Sequence, residues 1–265
     1  MDNQLIRLNK FLAERLGVSR RDADDLILAG KITVDGRPAI LGDRIDKNNK
    51  VCYNNKVVPP VAEFSYIAFN KPKGYVCSRR AQGAAPTLYD LLPKTFTRLK
   101  TVGRLDKDSS GLILLTNDGD FAFRMTHPKF RKNKVYEVEL DHPLAPLHQQ
   151  MISDYGVEIG DGISKFKIIK DNSGLLPSRV IRSAAARELA RSPRGDGRER
   201  RDPRKEVTES CYLVFLTEGR NRQIRRTFAA LGYQVTKLHR IQFGKYELGD
   251  LKPGKYVIIE PWAQS

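Results

Sequence analysis

No apolar run in this 265-residue chain is longer than six residues, Cys211 to Leu216. A membrane-spanning helix needs about 20 consecutive apolar residues, so the hydrophobic residues must assemble from short strands and amphipathic helices around packed cores. At about 100–200 residues per domain, the length suits one large domain or a small one joined to a larger one. Met1-Asp2-Asn3-Gln4 shows no basic segment leading into an apolar stretch, so no secretory signal is read here. Cys52, Cys77 and Cys211 are odd in number and widely spread, which predicts free thiols in a reducing cytoplasm. There is no Cys-x-x-Cys, and His127, His142, His148 and His239 lack ligand spacing, so no metal site is expected.

Charge supplies the first functional hint. The chain carries 47 Lys and Arg against 31 Asp and Glu, a net +16. That balance says nothing about fold but predicts attraction to a polyanion such as nucleic acid.

Residues 1–60 read as a unit of their own. Leu5, Leu8, Phe11, Leu12 and Leu16 follow helical spacing up to Gly17; Ser19 can cap a second helix with Ala23, Leu26, Ile27 and Ala29 as its stripe before Gly30. Ile32-Thr33-Val34 then meets Asp35-Gly36, a hairpin turn signal, and Asp46 to Val58 reads as one strand. Pro59-Pro60 marks a boundary, because proline stiffens the chain and removes backbone donors. Lys10, Arg15, Arg20 and Arg21 gather where the two helices meet. Such a cluster can contact phosphates of folded RNA, or it can be an ordinary solvated face.

Residues 61–265 mix strands with few helices, which makes the chain α+β. Phe64–Phe69, Leu112–Leu115, Lys165–Ile169 and Tyr212–Leu216 read as strands, and Val135 to Leu140 alternates with period two. Asp118–Met125 and Arg222–Leu231 read as helices. About residues 179–206 the pattern lapses: ten basic and five acidic residues surround Pro193, Gly195, Gly197 and Pro203, with few large apolar side chains. Such a segment cannot offset its ordering entropy by burial and predicts a flexible basic insertion, either an RNA tether or a tolerated loop.

The chemistry concentrates in Gly103-Arg104-Leu105-Asp106-Lys107-Asp108-Ser109-Ser110-Gly111-Leu112. Asp106 stands between cations in a polar loop that leads into a buried strand, a setting that keeps a carboxylate ionised. An Arg-x-Asp in a turn is also a common surface ion pair, and spacing alone does not choose.

The wider pattern chooses. Arg7 to Leu12, Ser19 to Ala23, Gly30 to Gly36 and Gly42-Asp43 resemble the S-four RNA-binding domain. Asn70-Lys71-Pro72-x-Gly74-Tyr75-Val76-x-Ser78, the Gly103 to Asn117 segment, Lys134 to Val138, and Thr217 to Arg226 follow in that order. Together they resemble the bacterial ribosomal RNA pseudouridine synthases that carry an appended S-four domain, over nearly the whole chain except the insertion. The resemblance implies a mainly antiparallel catalytic domain that isomerises a uridine of ribosomal RNA, most plainly of the large subunit, without a cofactor. The same reaction on small-subunit RNA or transfer RNA, and a non-catalytic assembly factor, are the alternatives.

On this resemblance Asp106 is the catalytic aspartate, Tyr136 the active-site tyrosine that stacks on a flipped base, and Arg225 the cation that pairs with Asp106, with Ile224 as an apolar wall. Arg104, Lys71, Arg220 and Arg222 are expected to contact RNA around the cleft, and Lys10, Arg20 and Arg21 in the N-terminal unit. Asn70 and Asn221 are expected to fix loops. The partner expected is ribosomal RNA, bound by a monomer.

Overall fold

The computed structural model describes residues 5–60, 63–79, 83–171 and 210–261. The basic insertion expected at about 179–206 therefore lies outside the described residues.

In the N-terminal unit, helix Leu8–Leu16 ends at Gly17, whose φ of 69° only glycine adopts without cost. Ser19 starts the next helix, Arg20–Leu28, through a reciprocal capping box with Asp22. Leu8, Leu12, Ala23 and Ile27 from these helices bury against Ile32, Val34, Ile45 and Val51 from the strands. The expected single strand from Asp46 to Val58 is two strands, Val51–Tyr53 and Lys56–Val57. Asn54 and Asn55, at φ 48° and 64°, fold it into a second hairpin, because asparagine tolerates left-handed backbone.

The C-terminal unit is built on one sheet, and the expected α+β, mainly antiparallel architecture holds. Its strands lie in the order Lys167–Lys170, Cys211–Leu216, Lys134–Leu140, Val235–Phe243, Ser110–Thr116, Tyr66–Lys71, Tyr256–Ile258. Every neighbouring pair in this order is antiparallel except one: His239 and Arg240 lie parallel to Ser110 and Gly111. That junction is tight. A Cβ on Gly111, which has φ 103°, would stand 2.2 Å from the Arg240 carbonyl oxygen, so the position demands glycine.

The junction joins the two halves of the sheet at the point where the loop bearing Asp106 ends. One sheet face packs Ile113, Leu115, Tyr136, Val138 and Leu238 against Ile224 and Phe228 of helix Gln223–Ala230. The other packs Leu112, Leu114, Val135 and Phe243 against Phe121 and Met125 of helix Gly119–Thr126. No helix among the described residues is long and apolar enough to cross a membrane.

Candidate active site

The loop bearing Asp106 is held from below by the Asn70–Cys77 segment. Lys71 is 0% exposed, and its Nζ donates to the carbonyls of Ser109 at 2.6 Å and Pro72 at 3.0 Å, with Lys107 at 3.5 Å. Gly74 N–H donates to the Lys107 carbonyl at 2.8 Å. The Cys77 Sγ donates to the Leu105 carbonyl and accepts from the Leu105 N–H, one residue before Asp106. Asn70 donates to the Leu251 carbonyl at 2.7 Å, a loop-fixing contact of the kind expected for it.

This corrects the reading of Lys71 as a phosphate contact. A motif lysine beside a cleft looks like an RNA ligand in sequence, but this one is sealed under the loop, out of reach of RNA. Burial lowers its pKa, and the nearby Cys77, Asp106 and Asp108 oppose that shift.

The ion partner of Asp106 is also different from the expected one. Arg222 Nη1 lies 3.6 Å from the Asp106 carboxylate. Arg225, expected to pair there, donates instead to the Val235 carbonyl at 2.7 Å and the Asp108 carbonyl at 3.0 Å. The reason is backbone geometry. Arg222 precedes helix Gln223–Ala230 in left-handed backbone, φ 47°, which gives it a different outlook from the helical Arg225. Arg225 clamps the loop two residues beyond Asp106, while its guanidinium pKa is lowered chiefly by burial.

Above the loop lies a pocket of about 350 Å³. Asp106, Tyr136, Ile224, Leu238, Phe243, Lys134, Arg222 and Arg240 are among its lining residues. Tyr136 is 9% exposed and pairs with Arg240 across the two strands, and it and the apolar Ile224 both line the cavity. Lys134 donates to the Glu218 carbonyl at 3.2 Å; burial, reinforced by Arg240, pushes its pKa down to about 8. Arg240 is 2% exposed, and its Nε donates to the Leu112 carbonyl at 2.7 Å.

The remaining cations divide. Arg104 is exposed at the pocket and makes no hydrogen bond or ion pair with the described residues. Arg20 and Arg21 are exposed at the start of the second helix. Two expected RNA contacts are engaged within the protein. Arg220 donates to the Ile163 carbonyl at 2.6 Å and to Glu218 at 3.1 Å. Lys10 lies 2.7 Å from Asp120, at the start of helix Gly119–Thr126, and so ties the N-terminal unit to the catalytic one. Lys100 adds a second tie by donating to the Val18 carbonyl at 3.1 Å.

Sequence reasoning passed over Arg240 and the ion-pairing role of Arg222. Nothing around Arg240 marks it, because its place depends on the parallel junction with Gly111. Phe123, His127 and Phe130 also went unremarked: Phe130 packs edge-on to Phe123 and His127, which are tilted against each other, beside the rim residues Thr126 and Pro128, with Lys129 over the Phe130 ring at 4.7 Å.

A family model described as RNA pseudouridylate synthase matches residues 65–230, and one described as S4 domain matches residues 6–51. The chain belongs to the RNA pseudouridylate synthase family. It is a pseudouridine synthase with an N-terminal S-four RNA-binding domain. Ribosomal small subunit pseudouridine synthase A of Pasteurella multocida is 32% identical over 256 residues, covering 95% of this chain and 94% of that protein. Ribosomal large subunit pseudouridine synthase B of Salmonella typhi is 32% identical over 251 residues, covering 91% and 75% respectively. The crystal structure of a pseudouridylate synthase superposes with a TM-score of 0.60 at 26% identity, covering 96% of each chain.

Proposed function

We propose that this protein converts one uridine of ribosomal RNA, in the large subunit, to pseudouridine, with Asp106 as the catalytic carboxylate. The observation that carries this is the Asp106–Arg222 ion pair at a pocket walled by Tyr136 and Ile224, in a chain whose relatives are named for both ribosomal subunits. The N1–C1′ bond of the uridine breaks, the ring turns, a C5–C1′ bond forms, the C5 hydrogen leaves as a proton and N1 gains one. Atoms and electrons balance without a co-reactant, so the chemistry calls for no cofactor. The target base must leave its stack to enter the pocket. Tyr136 supplies a face for it, Arg222 holds the Asp106 carboxylate, and Arg225 with Lys71 holds the loop.

Exposed Arg104, Arg20 and Arg21 supply phosphate contacts, and the Phe123–His127–Phe130 cluster with Lys129 offers the RNA a basic aromatic surface beside the rim. The protein acts as a monomer in the cytoplasm, where the thiols of Cys52, Cys77 and Cys211 stay reduced. The test is pseudouridine mapping of ribosomal RNA from cells with and without the protein. One large-subunit site is lost on deletion and stays lost with Asp106→Ala; a site that Asp106→Ala restores removes Asp106 from the mechanism.

A further inference from the structure

Two polar groups in the pocket are buried and unpartnered. The Nη2 of Arg240, a residue 2% exposed, and the Oγ of Ser109, a residue 1% exposed, make no hydrogen bond with any described residue, and both residues line the cavity above Asp106. A buried donor left unpaired costs free energy comparable to a lost hydrogen bond. It is tolerated where a ligand completes it. The Arg240 guanidinium is fixed at one end by its bond to the Leu112 carbonyl and lies against the Phe243 ring, 4.7 Å from ring centroid to Cζ. It is therefore a preorganised donor and cannot act as an acceptor.

Uracil presents acceptor, donor, acceptor along its edge: O4, N3–H and O2. Cytosine replaces O4 by an amine and N3–H by a lone pair. Resting on the pseudouridine synthase reading above, we propose that Arg240 selects uracil over cytosine, its Nη2 donating to O4 of the flipped base while the Ser109 hydroxyl accepts from N3–H. A cytosine amine would meet a donor with a donor, which leaves both groups unpaired.

The geometry of the reaction fits this pairing. Turning uracil by half a revolution about the axis through N3 and C6 exchanges N1 with C5, and O2 with O4. The edge pattern maps onto itself, so the Ser109 hydroxyl can remain on N3–H as a pivot while Arg240 passes from one carbonyl to the other. A phosphate is a poorer occupant. Arg104, exposed at the pocket, is the cation open to the RNA backbone, whereas Arg240 is 2% exposed.

The test uses stem-loops carrying the mapped uridine, or 4-thiouridine, 2-thiouridine or cytidine in its place. Binding is measured in an Asp106→Asn background, where no turnover reverses the ring. The Asp106→Asn protein binds the cytidine stem-loop about 10- to 100-fold more weakly than the uridine one, the range expected for losing a hydrogen bond to a charged group. The 4-thiouridine stem-loop is weakened several-fold and the 2-thiouridine one is not. Adding Arg240→Met brings all four within about threefold.

Arg240→Lys keeps the buried cation if the methionine variant folds poorly, and it loses the discrimination in the same way. Cytidine rejection that survives both variants, or a penalty that follows 2-thiouridine, overturns the assignment; so does a reduced salt slope with discrimination intact, which identifies a phosphate contact. Wild-type protein that leaves the uridine stem-loop unconverted refutes the functional reading instead, and leaves the two failures distinguishable.

Discussion

Replacing Lys71 by methionine separates the support of the loop that carries Asp106 from the chemistry proposed for it. The ammonium is fully buried and holds the Ser109 carbonyl at 2.6 Å and the Pro72 carbonyl at 3.0 Å; the 3.5 Å approach to Lys107 is marginal. Methionine fills the space but leaves those two carbonyls unpaired, at roughly 1–3 kcal/mol each. Removing a cation whose burial already disfavours its charge offsets part of that loss. The net destabilisation is about 2 kcal/mol by these terms. For a unit of this size it lowers Tm by roughly 4–8 °C, which leaves the protein folded at 25 °C.

Activity falls further than stability. The Ser109 carbonyl lies three residues from Asp106, and a displacement of about 1 Å at a reacting group costs on the order of 100-fold in rate. The assay pairs a thermal melt with single-turnover pseudouridine formation at 25 °C. A lowered Tm with an unchanged single-turnover rate would show that Lys71 supports the fold and not the placement of Asp106, and the reasoning fails.

Further outcomes follow from the same geometry. Arg222→Met, at a half-exposed ion pair, lowers kcat by at least tenfold with Tm within about 2 °C, whereas Arg225→Met lowers both because it frees two carbonyls, Val235 and Asp108; equal melts for the two variants would reverse that division. Lys134 has a folded pKa of about 8 against an ordinary 10.5, so its charge opposes folding fully below pH 8 and not at all above about 10.5. Stability from this group therefore rises with pH across that window, and Lys134→Met flattens the rise in urea melts at pH 7, 9 and 10. Lys10→Ala leaves the salt slope of RNA binding unchanged, because its ammonium is committed to Asp120, while Arg21→Ala reduces it by about 0.7–0.9, one phosphate contact. A slope that drops for Lys10→Ala instead returns that lysine to the RNA surface.

Much of the fold was legible in local pattern. Period-two alternation from Val135 to Leu140, the Ser19 helix cap and the Asp35-Gly36 turn are short-range effects, and each appears where the spacing puts it. The miss at Asp46–Val58 was also local: Asn54-Asn55 is a weaker turn signal than Asp-Gly, and the flanking residues read equally well as one strand.

The sequence by itself determined which residue types stand near the reaction. It placed a carboxylate at Asp106 in a cation-flanked loop, an aromatic ring at Tyr136 in an alternating strand, and a basic run from Arg220 to Arg226. Only the tertiary structure decided which cation does what. Arg222 and Arg225 differ by three residues, yet left-handed backbone aims one at Asp106 and helical backbone aims the other at two carbonyls. Lys71 became a buried support because the Tyr66–Lys71 strand ends beneath the loop that carries Asp106. Arg240 reached the pocket only because Gly111, lacking a Cβ, lets two strands meet in parallel. Side-chain identity is written along the chain; burial and direction depend on what distant segments bring alongside.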